Sequence, residues 1–191
     1  HGDSLTGSVV RGDVIYGNST PKWARLAKPA TPAVLYNDAT DVAWDTMAWT
    51  AVSFNAGDFT AVTAGTWTVA AGDVALFKYR LIGKTMIIQC TLTTTTVARS
   101  GANPVLLSIL IPASKTANAV FTAASAFCLD NGVYTPALVQ TSGTAILILR
   151  GDGAQWANAT DTTYIYFQII LEMLEALEKG TDLGEVLAGG R

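Results

Sequence analysis

The 191-residue sequence holds one histidine, His1, two cysteines, Cys90 and Cys128, and, among its carboxylates, Asp130, Asp152 and Asp161 in the C-terminal half. These residues bound the chemistry. A Ser-His-Asp or Cys-His arrangement needs a histidine inside the fold to act as base, and His1 stands at the terminus. Zinc asks for ligands at close, regular spacings, which one histidine and two distant cysteines do not offer. His1 has an amine and a ring for copper, but the partner imidazole of such a site is missing. A carboxylate pair for glycoside cleavage is available by count in Asp130, Asp152 and Asp161. Yet Asp130-Asn131-Gly132 and Asp152-Gly153 are turn sequences, in which the carboxylate caps its own backbone, and that reading is preferred. The ligand spacing of an EF-hand loop and the glycines of a phosphate loop are both absent. The expectation is a protein without catalytic residues, metal or cofactor.

Binding motifs are also few. Arg-Gly-Asp occurs at 11–13 and 150–152, in both cases where the turn pattern already asks for Gly-Asp. Asn18-Ser19-Thr20 and Asn158-Ala159-Thr160 fit the glycosylation acceptor pattern, which has meaning only in a eukaryotic secretory pathway. The one ring set among polar groups is Trp156, in the stretch GDGAQWANATDTTY. With Asn158, Asp161 and Tyr164 it is a candidate ligand surface, since a ring stacks on a sugar face and amides and carboxylates orient it. Packing of Trp156 in the core or an intersubunit contact is the preferred alternative, and Trp23, Trp44, Trp49 and Trp67 read as packing residues too. Exposure of Trp156 would favour ligand binding; burial of every tryptophan would favour a purely architectural role. Cys90 and Cys128 both lie in apolar runs and read as buried free thiols in preference to a disulfide.

The elements that position these residues are strands. Between Val74 and Leu92, VALFKYRLIGKTMIIQCTL alternates with period two on both sides of Gly83-Lys84, which marks a hairpin with one buried face. Ala75, Phe77, Tyr79 and Leu81 share a face on the first arm, and Met86, Ile88, Cys90 and Leu92 on the second. Further strands are expected over 50–54, 66–69, 105–111, 119–127, 133–139, 145–150 and 163–171. With no helix between them, these fit an all-β fold, an antiparallel β-sandwich of jelly-roll type. Parallel βαβ architecture is excluded, because the connections are too short for crossover helices. Residues 1–48 differ: Gly, Pro, Asn and Asp interrupt short apolar clusters every few positions, which predicts an extended N-terminal stalk or attachment segment. The head is placed at 49–171. From Leu171 to Gly180 the period changes, with Leu171, Leu174 and Leu177 beside Glu172, Glu175 and Glu178. This predicts a short amphipathic helix in a terminal segment, 172–191.

Hydrophobic residues make up 50% and charged residues 14%, with a net charge of −3. So little charge suits a surface largely hidden in an oligomer. Without clustered Lys and Arg, nucleic acid and anionic membranes are not expected partners, and no apolar run reaches the length of a membrane span.

GSVVRGDVIYGNSTPKWARLAKPA resembles a segment of bacteriophage tail-fibre and virion structural proteins, in which Gly-Asp-Ile/Val-Ile/Leu-Tyr-Gly precedes Trp-x-x-Leu. Here these are Gly12 to Gly17 and Trp23 to Leu26. YRLIGKTMIIQCTL, SILIPA and ILRGDGAQWANATDTTYIYFQIILE are similar to the distal β-sandwich of such proteins. A long repetitive shaft and the Glu- and Leu-rich C-terminal stretch set this chain apart from them, the one by its absence and the other by its presence. The resemblance implies a homotrimer on a virion surface, with Val14, Tyr16, Trp23 and Leu26 in assembly or attachment to other virion proteins. It also implies a host glycan or surface protein as ligand. A capsid decoration or adaptor protein without a host ligand, and a secreted adhesin, carbohydrate-binding module or filament subunit, are the alternatives.

Overall fold

Gly, Pro and Asn punctuate the N-terminal apolar clusters too closely for helices, and the computed structural model shows what forms instead. The chain divides into two units, His1–Trp49 and Thr50–Arg191. The structure describes residues 10–18, 23–37, 41–98, 106–118 and 123–174. The first unit holds two separate antiparallel hairpins, β1 (Val14–Gly17) with β2 (Trp23–Leu26) and β3 (Val34–Asn37) with β4 (Val42–Asp45). The turn leading into β1 needs glycine: Gly12 has φ +96°, and a Cβ there would meet Lys28 Cδ at 2.7 Å. Asp13 then fastens the base of this hairpin, accepting the backbone N–H of Val10 at 2.7 Å and of Lys28 at 2.8 Å, and Arg25 Nε at 2.5 Å.

Among its described residues the second unit is all-β. Its strands are β5 (Thr50–Ala51), β6 (Phe59–Ala61), β7 (Thr66–Thr68), β8 (Val74–Ile82), β9 (Thr85–Ala98), β10 (Leu107–Leu110), β11 (Ala123–Asp130), β12 (Val133–Ser142), β13 (Ala145–Arg150) and β14 (Ala159–Glu172). They pair antiparallel in one continuous order, β5-β8-β9-β14-β11-β12-β13-β10-β6, with β7 also on β9. The sheet curls until β6 and β7, joined by four residues, lie side by side, with the rings of Phe59 and Trp67 edge to face at 5.7 Å. Its concave side is the core.

The predicted hairpin forms β8 and β9, between the short end strand β5 and the long β14. Gly83 takes φ +57° at the turn, and Met86, Ile88, Cys90 and Leu92 are all buried on the concave side, as the alternation requires. On the first arm Phe77 is buried and Tyr79 and Leu81 pack against the core, but Ala75 is exposed. A register shift between Val74 and Leu76 turns Val74 inward in its place. Opposite β9, the long β14 aligns Ile165, Phe167, Ile169 and Leu171 with Leu92, Cys90, Ile88 and Met86. Each arm thus supplies the other's apolar contacts. Both cysteines are free and buried, as expected.

The helix expected from Leu171 is not what its first residues form. Leu171 and Glu172 continue β14, Met173 bridges Ala117, and Leu174 N donates to Thr116 O at 2.9 Å. Leu171 and Met173 point into the core while Glu172 and Leu174 point out, a period of two. A waiting ladder of backbone partners outweighs the modest helix preference of Leu, Glu and Met. The remainder of that segment, 175–191, lies outside the described residues, as do His1 and Ser19-Thr20 of the first acceptor sequence.

Candidate interaction surface

The aspartates considered for acid–base work are tied into the fold. Asp130, at the end of β11, is buried and accepts the Ala157 N–H through both oxygens at 3.0 and 2.9 Å, and its Oδ2 is paired with Arg150 Nη1. The same guanidinium reaches Asp152 with Nη2 at 2.6 Å and Nε at 3.1 Å. Side-chain bonding to Arg150 and the Ala154 N–H hold the Asp152 carboxyl down at about 2. These contacts staple the segment 151–157 to the turn between β11 and β12. Asp161 is exposed and exchanges bonds with Thr96: Thr96 Oγ1 donates to Asp161 Oδ1 at 2.9 Å, and Asp161 N donates to Thr96 Oγ1 at 3.1 Å. It lies at an irregularity of β14, with φ +54°. The aspartates of both Arg-Gly-Asp sequences are paired within the chain, Asp152 with Arg150 and Asp13 with Arg25. Among the described residues no group of three His, Cys, Asp or Glu side chains is placed to hold a metal ion.

The candidate ligand surface around Trp156 does not hold together. Trp156 is 0% exposed and belongs to the core. A stacking platform needs an open ring face, so the tryptophan is a packing residue. Asn158 is exposed, and Tyr164 is half-buried on the convex side of β14. The other tryptophans divide: Trp67 is buried, donating Nε1–H to Thr95 Oγ1 at 3.0 Å, whereas Trp23 is 54% exposed. Of the expected assembly residues, Val14, Tyr16 and Leu26 are half-buried, and β1–β2 register sets Val14 against Leu26.

A different surface stands out, on the convex face of β9, β14, β11 and β12. Phe127 lies at its centre, 48% exposed, with the Tyr134 ring at 5.0 Å and the Tyr166 ring at 5.6 Å. Tyr134 is 71% exposed. Beside the rings, Gln89 Nε2 donates to Gln168 Oε1 at 2.7 Å, across the β9–β14 pair. Rings and amides line a groove of about 790 Å³ that contains no Asp, Glu, Lys or Arg. Ile170, 54% exposed, and Leu138 extend the same face along β14 and β12. Rings and aliphatic side chains thus gather on one face of the sheet without charge between them. Sequence reasoning missed it, because each strand was judged by its buried face.

Beneath this face the thiols are inert. Burial pushes the Cys90 thiol far up; burial and the nearby Asp130 charge push Cys128 up to about 11. Cys128 Sγ also donates to Thr135 O at 2.9 Å. No family model, curated protein or solved structure matches this chain.

Proposed function

We propose that the chain is a non-enzymatic virion structural protein, a trimeric fibre or receptor-binding protein that displays its β-rich unit as a jelly-roll-like head. The observation that carries assembly is the uncharged convex face around Phe127, Tyr134 and Tyr166. Strands β9, β14, β11 and β12 bury one side in the core and present rings, amides and aliphatic groups on the other. Association of copies through that side would give these strands two covered faces. The virion setting rests on the resemblance of residues 7–30 and of the head segments to tail-fibre proteins, with the N-terminal unit attaching to other virion proteins.

The native mass tests this reading. Light scattering should give about three times 20.0 kDa for the chain, and a mass near one chain for the double variant Phe127→Lys, Tyr134→Lys. Both side chains stand on the outer face of the sheet and outside the core, so the variant should keep its circular dichroism. A wild-type monomer refutes assembly, and a variant that stays trimeric refutes this face as the contact.

A second reading has its own observation. Three rings beside the Gln89 and Gln168 amides make a neutral, polar-edged groove suited to an uncharged sugar. Under it the protein is a receptor-binding head or secreted carbohydrate-binding module, and glycan binding should be lost in Tyr134→Ala with the mass unchanged. Because Trp156 and Trp67 are buried while Trp23 is exposed, the tryptophans do not separate receptor binding from a purely architectural decoration protein.

A further inference from the structure

Asn131-Gly132 is the one Asn-Gly pair in the sequence, and the fold builds a turn from it. The two residues link β11 to β12, whose last cross-strand pair is Asp130 with Val133. Both take positive φ, Asn131 at +52° and Gly132 at +76°, as a two-residue type I′ hairpin requires. Both are exposed. Yet the turn is held at two points by Thr162 of β14. Gly132 N donates to Thr162 O at 3.1 Å, and Thr162 Oγ1 donates to Asn131 Oδ1 at 3.3 Å.

These two bonds engage the two partners of an intramolecular reaction. An asparagine side chain is open to attack by the backbone nitrogen of the residue that follows, and glycine hinders that approach least because it has no Cβ. The Gly132 nitrogen gives up its proton and forms a bond to Asn131 Cγ, while the Cγ–Nδ2 bond breaks and Nδ2 leaves as ammonia with a proton gained. The cyclic imide then takes up water at either carbonyl, which leaves an aspartyl or an isoaspartyl residue. Neither step is a redox step, and water is the sole co-reactant. In the folded turn the Gly132 N–H is bonded to Thr162 O, which makes it harder to deprotonate, and Asn131 Oδ1 is anchored on the Thr162 hydroxyl. The turn must therefore come away from Thr162 before the nitrogen can reach Cγ. From this arrangement we infer that Asn131 is a site of spontaneous deamidation and that Thr162 is the residue that restrains it. The new carboxylate would stand next to the buried Asp130, and an isoaspartyl link would lengthen a turn that fixes the β11–β12 register. Phe127 and Tyr134 are carried by those two strands, so the modification would disturb the hairpin that displays them. None of this depends on what covers that face.

The test follows the full chain in mildly alkaline buffer, folded and in urea, with peptide mass mapping of the exchange of NH for O at each asparagine. In urea Asn131 should be the first asparagine modified. In the folded chain its rate should be at least about tenfold lower, as for a group released only by local opening. Thr162→Val keeps the backbone oxygen and loses the hydroxyl, so the folded variant should modify Asn131 about two- to fivefold faster than folded wild type. The substitution is close in shape at a half-buried position, so the circular dichroism should match wild type. A first modification elsewhere in urea overturns the assignment to Asn131. Equal rates in the folded and unfolded wild type, or a Thr162→Val rate no higher than wild type, overturn the restraint by Thr162.

Discussion

Arg150 offers the sharpest test of the packing. Its guanidinium pairs with the buried Asp130 through Nη1 and with the 45% exposed Asp152 through Nη2 and Nε. The substitution Arg150→Ala leaves Asp130 charged, buried and supported by the Ala157 N–H alone. Removing one member of a buried pair costs about 3–5 kcal/mol. The Arg150 side chain keeps 17% of its exposure, so water can enter the space it vacates. That places the loss near the lower end, about 3 kcal/mol. For a unit of this size 1 kcal/mol moves Tm by about 3–4 °C, so the fall should be about 10 °C. Asp130→Asn removes the charge but keeps an acceptor for Ala157 N–H, and should cost about 1–2 kcal/mol. Asp152→Asn breaks only the exposed, screened contact and should lower Tm by less than either of the other two. Calorimetry of the three variants in low and high salt reads the ranking. The Arg150→Ala deficit should persist in high salt, since a buried pair is little screened. Equal Tm values for Arg150→Ala and Asp152→Asn would refute the reasoning, for the energy would then lie in the exposed half of the bridge.

Two further predictions concern titration and thiol chemistry. Asp13 and Asp152 each have a carboxyl held at about 2, by hydrogen bonds from the Val10 and Lys28 N–H groups with Arg25 alongside in one case, and by Arg150 in the other. A folded-state value below the ordinary 3.8 means that their contribution to stability is fully present above that pH and is lost as pH falls from 3.8 towards 2. Urea midpoints should therefore decline on that acid limb, with a shallower decline in Asp13→Asn for any probe of the N-terminal unit; an unchanged limb would contradict the role of Asp13. Neither Cys90 nor Cys128 should react with a disulfide reagent at pH 8 in the native protein, and both should react in denaturant. A thiol titrating in the folded state would mean that the β9 or β11 packing is wrong.

Much of the head was legible because one face of each strand is buried, and burial forces period two. Val74–Ile82 and Ala145–Arg150 fall at the bounds the alternation sets, as does the turn at Gly83. What broke the pattern was local. A bulge at Val74/Leu76 exchanges Val74 for Ala75 in the core, and Thr94, with φ +56°, returns Thr95 and Val97 to the inside. Such an extra residue has no sequence signature when Thr fills the whole stretch 93–96. Phe59–Ala61 was missed since three residues carry no period, whereas Trp156 is buried, as the preferred packing reading has it, despite its polar neighbours in sequence.

The convex face did leave a trace in β14. In Thr163-Tyr-Ile-Tyr-Phe-Gln-Ile-Ile-Leu the inward set is Thr163, Ile165, Phe167, Ile169 and Leu171, and the outward set is Tyr164, Tyr166, Gln168 and Ile170. A strand with one wet face alternates apolar with polar, whereas one covered on both sides reads as a near-continuous apolar run. Within the single chain β14 is covered on one side only. Its neighbours repeat the mismatch, with Ile87 on β9, Phe127 on β11 and Tyr134 and Leu138 on β12, while charges sit at the margins in Lys78, Arg80 and Glu172. These outer residues are what the association proposed above would use. Under the proposed association a second copy of the chain would be the layer over them, and the outer residues of β14 would then face the same kind of apolar surface that its inner residues face.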